Sequence, residues 1–83
     1  MSEKITYQSH AVNLDCGVHM RVDVTSTGGG VIESNLRRAT GFSPRFCKIV
    51  ESLVLAHACE GVDVAGEAYL AGLNTLLETE ANE

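Results

Sequence analysis

No lysine or arginine follows Lys48, so the charge of the chain is one-sided. Through Lys48 all six bases (Lys4, Arg21, Arg37, Arg38, Arg45, Lys48) stand against four acids (Glu3, Asp15, Asp23, Glu33), a net of +2. From Ile49 onward there are seven acids (Glu51, Glu60, Asp63, Glu67, Glu78, Glu80, Glu83) and no base, a net of −7. A segment without cations cannot neutralise phosphates, which argues against the C-terminal half as a nucleic-acid reader. Tryptophan is absent, and proline occurs once. No apolar run approaches the ~20 residues that a membrane-spanning helix needs. The opening stretch, MSEKITYQSH, lacks the long apolar core of a secretory signal. The three cysteines, Cys16, Cys47 and Cys59, cannot all pair within one chain. Free thiols in a reducing, cytoplasmic compartment are the expectation. No Gly-x-Ser-x-Gly elbow and no aspartate-rich metal loop occurs. A chain of 83 residues also has little room for a closed pocket, so neither an enzyme nor a cofactor is expected.

What is present is organised around Ser43 to Gly61, SPRFCKIVESLVLAHACEG. Ser43 is a good N-cap, and Pro44 suits the first helical position, where a missing N–H costs nothing. Gly61 can adopt the left-handed conformation that closes a helix. Phe46, Ile49, Val50, Leu53, Ala56 and His57 recur at helical spacing and predict the buried stripe. Leu55 and Cys59 lie among the polar residues of the other side, so the helix is apolar around most of its circumference. Such a helix is normally covered on more than one side, and this chain has little material for that.

Before the helix the pattern is that of strands. Ile5 to Leu14 mixes β-branched and aromatic residues, and Asp15, Cys16 and Gly17 supply turn chemistry. In the next strand Val18, Met20, Val22 and Val24 alternate with His19, Arg21, Asp23 and Thr25, as in an antiparallel sheet with one wet face. Ser26 to Gly30, STGGG, reads as a glycine loop that closes a plain hairpin. A phosphate-cradling loop is the alternative and is not expected, because no helix and no Lys-Ser/Thr pair follows it. Val31 to Leu36 is a short third strand, and Arg37 to Phe42 a connector. Asp63 is the predicted N-cap of a second helix running to about Glu80, with Ala65, Tyr69, Leu70, Leu73, Leu76 and Leu77 as its apolar stripe. These elements define an α+β class, a two- or three-stranded antiparallel sheet followed by an αα-hairpin. The expected organisation is one domain over residues 1–83, with the sheet in 1–36, the first helix in 43–61 and the second in 63–80.

Candidate chemistry is sparse. Cys16-Gly-Val-His19 has zinc-knuckle spacing, and His10, Cys47, His57 and Cys59 add potential ligands. Residues 57 and 59 stand about 200° apart on a helix, so both cannot readily bind one ion, and no metal site is expected. The same divergence keeps a histidine base away from a thiol nucleophile. Two helices joined by a short turn also resemble a helix-turn-helix, but its reading helix would carry no cation. Arg37, Arg38, Arg45 and Lys48 remain as a basic edge able to touch a phosphate backbone.

The run LVLAHACEGVDVAGEAYLAGLNTLLE, Leu53 to Glu78, resembles the C-terminal part of small proteins from phages, prophages and other mobile elements. The pattern Ala-His-Ala-Cys, Gly-Val-Asp-Val, Ala-Tyr and Gly-Leu recurs in them. The resemblance covers about a third of the chain and implies an accessory protein of a mobile element. By analogy with anti-CRISPR proteins, the expectation is an inhibitor of a bacterial defence complex that binds a basic protein surface. Glu51, Glu60, Asp63, Glu67, Glu78 and Glu80 are the candidate contacts. A homodimer is expected, to cover the surplus apolar surface of the first helix. The alternative is a nucleic-acid-binding regulator that uses the four basic residues.

Overall fold

The computed structural model describes residues 6–81. Three strands, β1 (Thr6–Asn13), β2 (His19–Thr25) and β3 (Gly28–Ser34), form an antiparallel sheet in the order β1-β2-β3. A short helix, α1 (Leu36–Thr40), leads into α2 (Pro44–Cys59) and then α3 (Glu67–Ala81). The class is therefore α+β, as the residue pattern predicts, with α1 as an addition where a connector was expected.

The alternation in β2 becomes the inner face of the sheet. Met20 and Val22 are buried there, joined by Val12 and by Leu14 and Val18 at the β1–β2 turn. Helix α2 lays Cys47, Val50, Val54 and Ala58 against them, while Leu36, Val64, Leu73 and Leu77 close the rest of the core. The buried face of α2 is thus rotated from the predicted stripe. Ile49 and Leu53, assigned to the core by spacing, are 56% and 41% exposed. Leu55, assigned to the wet side, packs against the core. The inward face is the Cys47, Val50, Val54 and Ala58 flank, whose compact side chains pack on the sheet.

The glycine run does close a hairpin, but its glycines belong to the strand and not to the turn. Gly28, Gly29 and Gly30 begin β3, paired with Thr25, Val24 and Asp23, and the turn shrinks to Ser26 and Thr27. Thr25 Oγ1 donates to the Gly28 carbonyl at 2.9 Å and helps to close it. Backbone pairing with β2 and packing under Leu55 outweigh the low strand propensity of glycine.

The helix ends follow local chemistry. Ser43 Oγ accepts from Phe46 N–H at 3.2 Å, ahead of Pro44. At the other end Gly61 has φ 93°, Val62 N–H donates to the His57 carbonyl at 3.0 Å, and Gly61 N–H donates to Ala58 at 3.1 Å. That bond pair is a Schellman closure. Helix α3 starts at Glu67, later than its predicted cap at Asp63. Residues 63–66 instead form a turn, in which Gly66 N–H donates to the Asp63 carbonyl at 3.0 Å and Val64 drops into the core. Among the described residues no helix is long and apolar enough to cross a membrane.

Candidate acidic interface along helix α3

Helix α3 presents Leu73 and Leu77 to the core and turns Glu67, Ala71 and Glu78 outward. These three stand at i, i+4 and i+11, within about 40° around the axis, so the two carboxylates share one flank about 16 Å apart. The β1–β2 turn lies beside that flank. Asp15 N–H donates to Asn74 Oδ1 at 3.4 Å and joins the turn to the helix. The turn itself is held by Asn35, whose Oδ1 accepts from His19 N–H at 2.7 Å and whose Nδ2 donates to the Gly17 carbonyl at 3.0 Å.

Two hollows adjoin at the Asp15–Asn74 contact. One, of about 420 Å³, is bounded by Asp15, Cys16, Phe42, Leu77 and Glu78, with α1 on its far side. The other, of about 430 Å³, is bounded by Asn13, Asp15, Glu67 and Asn74. Every charged residue that lines either one is an acid: Asp15, Glu67 and Glu78. Concave walls of a single sign concentrate the local potential, so this flank draws cations and repels anions. Its chemistry fits the guanidinium or ammonium group of an incoming chain.

Of the predicted contacts, the structure brings only Glu67 and Glu78 together on this flank. Glu80 is exposed on α3 about 200° around from Glu78. Glu60 and Asp63 are exposed at the α2–α3 turn. Glu51 is half-buried on α2 and close enough to act on the Cys47 thiol. The sequence marks Asp15 only as turn chemistry, and its place beside α3 is set by tertiary packing that no local pattern encodes. Among the described residues the one ion pair is Arg21–Asp23, at 3.6 Å. The six predicted acids therefore have no internal counter-ion there, and Arg37, Arg38, Arg45 and Lys48 are likewise exposed and unpaired.

The candidate metal ligands do not converge. Among the described residues no three of His, Cys, Asp and Glu could hold an ion. Cys16 and Cys59 are exposed and Cys47 is buried. His57 Nδ1 and the Tyr69 hydroxyl lie 2.7 Å apart in a hydrogen bond that joins α2 to α3. Burial pushes the Cys47 thiol above its ordinary 9.0, with Glu51 adding to the shift and Arg37 opposing it. Burial also raises Tyr69 above 10.0. The unfolded chain gives up both protons at lower pH than the folded chain, so this contribution to stability is complete below pH 9.0 and is lost as pH rises through the folded values. The urea midpoint should accordingly fall above pH 9.0, and Cys47→Val should remove the part of the fall that begins there. Equal pH profiles for the two proteins would show that the thiol makes no such contribution.

Comparison with protein-family models, with curated proteins and with solved structures finds no match to this chain.

Proposed function

We propose that this chain is a non-enzymatic binding protein that docks a basic protein surface through its acidic α3 flank. More specifically, we read it as a phage-type inhibitor of a bacterial defence complex of the CRISPR-Cas kind, acting in the cytoplasm as a homodimer. The observation that carries the reading is the set of carboxylates lining the α3 hollows, Asp15, Glu67 and Glu78, none of them paired internally among the described residues. A groove built to hold nucleic acid is lined with arginine and lysine, and carboxylates spaced along a rigid helix can occupy it in place of phosphates. The resemblance of Leu53–Glu78 to mobile-element proteins supports the choice of target.

The test is competition. The protein should displace single-stranded DNA from a purified Cas surveillance complex, with an effect that weakens steeply as ionic strength rises. Reversing Asp15, Glu67 and Glu78 to lysine together should reduce the competition at least tenfold while the circular dichroism spectrum stays unchanged. Undiminished competition by the triple variant would rule out the acidic flank.

Arg37, Arg38, Arg45 and Lys48 around the α1–α2 turn, exposed and without an ion-pair partner among the described residues, favour a second reading, direct binding of nucleic acid. A gel shift with duplex and single-stranded DNA separates the two, since only this reading gives a shifted band with the protein alone.

A further inference from the structure

The outward face of α2 carries a strip that is complementary to itself. Arg45, Ile49, Leu53, Ala56 and Glu60 are all exposed, and at about 100° per residue they fall within about 80° of one another. A base stands at one end, an acid at the other, and three apolar residues lie between them. Arg45 lies eight residues before Leu53 and Glu60 seven after it, so Leu53 marks the middle of a strip about 22 Å long. Neither Arg45 nor Glu60 has an ion-pair partner among the described residues.

Both charges also oppose the dipole of their own helix. The first turn of α2 contains no acid and does contain Arg45, where the exposed N–H groups are already positive. Glu60 sits at the carbonyl end, which is already negative. Within one chain the arrangement is mildly unfavourable at both ends.

We propose that α2 pairs with α2 of a second copy of this chain, antiparallel, about a two-fold axis beside Leu53. This rests on the homodimer reading and gives it a surface and a register. In this arrangement Arg45 of each copy meets Glu60 of the other, and Ile49 faces Ala56. Leu53 meets its own counterpart at the axis. Each charge then lies against the helix end of the partner that favours it, which offsets the unfavourable placement that each keeps on its own helix. A parallel pairing would set Arg45 against Arg45 and Glu60 against Glu60, so the charges select both the direction and the register.

Helix α3 widens the apolar face. Gly72 and Leu76 border a shallow groove of about 240 Å³ that Leu53 and His57 line from the α2 side. Leu76 is 39% exposed, and a Cβ built on Gly72 meets nothing within 4 Å, so another chain can come close. Pairing occupies Glu60 and leaves Glu67, Glu78 and Asp15 on the α3 flank free for a different protein.

Analytical ultracentrifugation of the full chain provides the test. The native protein should be a dimer, and Arg45→Glu and Glu60→Arg should each raise the dimer dissociation constant at least tenfold. The double variant Arg45→Glu/Glu60→Arg should return to within about threefold of the native value, because opposite charges again face each other. Leu53→Lys, at the axis, should leave a monomer with an unchanged circular dichroism spectrum. A native dimer that both single reversals and Leu53→Lys leave intact would overturn this surface while the homodimer reading stands. Reversals that weaken pairing without recovery in the double variant would overturn the register. A native protein that is monomeric at micromolar concentration would overturn both the surface and the homodimer.

Discussion

Gly29→Ala should lower the stability of the fold by about 2 kcal/mol, whereas Gly30→Ala, one residue further along the same strand, should leave it nearly unchanged. The contrast comes from what each new methyl group would meet. A Cβ on Gly29 would stand 2.5 Å from the Asp23 carbonyl oxygen, 3.2 Å from Val24 Cα and 3.3 Å from Leu55 Cδ1. The first two are backbone atoms of β2 and cannot turn aside as a side chain can. The third is the residue that seats α2 on this corner of the sheet. On Gly30 the methyl would meet nothing within 4 Å, and alanine there leaves the unfolded chain fewer conformations to lose. In a domain of this size 2 kcal/mol corresponds to a melting temperature lower by about 8–16 °C. Thermal melts of the two variants followed by circular dichroism would show it. Equal melting temperatures would mean that β3 does not press against β2 and Leu55 as described.

His10→Leu should have the opposite sign and raise stability by about 1–2 kcal/mol. His10 lies on the inner face of β1, opposite Val22, and is only 5% exposed. Its Nε2 is buried without a hydrogen-bond partner among the described residues. A polar atom removed from water without replacement bonds carries its desolvation penalty into the folded state. Leucine has similar bulk and no such atom, and it continues the apolar surface of Val12 and Val22. The urea midpoint of the variant should rise with no change in the slope of the transition. A lower midpoint would mean that the imidazole makes a compensating bond inside the core.

The parts of this fold that were legible in the residues are those governed by near neighbours. The Ser43–Pro44 start and the Gly61 stop of α2 follow from capping chemistry within one turn of the chain. The two faces of β2 follow from the strict alternation of Val18 to Thr25. The inward face of α2 was not legible, because apolar residues surround most of that helix. The face that is buried, Cys47, Val50, Val54 and Ala58, packs against a sheet formed elsewhere in the sequence, which local spacing does not encode. The glycine run announces the hairpin but not that β3 begins at Gly28, for a related reason. Its low strand propensity is a local property, while the need for a bare backbone under Leu55 is a tertiary one. The acidic flank was half legible. The charge count singles out Glu67 and Glu78, but Asp15 joins them only because the β1–β2 turn comes to rest beside Asn74.

The rotation of α2 changes the argument for self-association without removing it. The surplus apolar surface is not at Leu55, which the sheet uses, but at Ile49 and Leu53. That strip is flanked by charges that suit a second α2 running the other way. On the proposed reading two surfaces divide the work: α2 would hold the copies together, and the α3 flanks would carry negative charge to a third, basic partner. Two flanks held rigidly in one particle engage such a partner more tightly than one flank alone when both can reach it.

The molar mass of the native chain in solution tests this account most directly. Light scattering at micromolar concentration should give twice the chain mass of 8.9 kDa, falling to the single-chain value for Leu53→Lys. A native protein of 8.9 kDa under those conditions would contradict it, because Ile49 and Leu53 would then face only water.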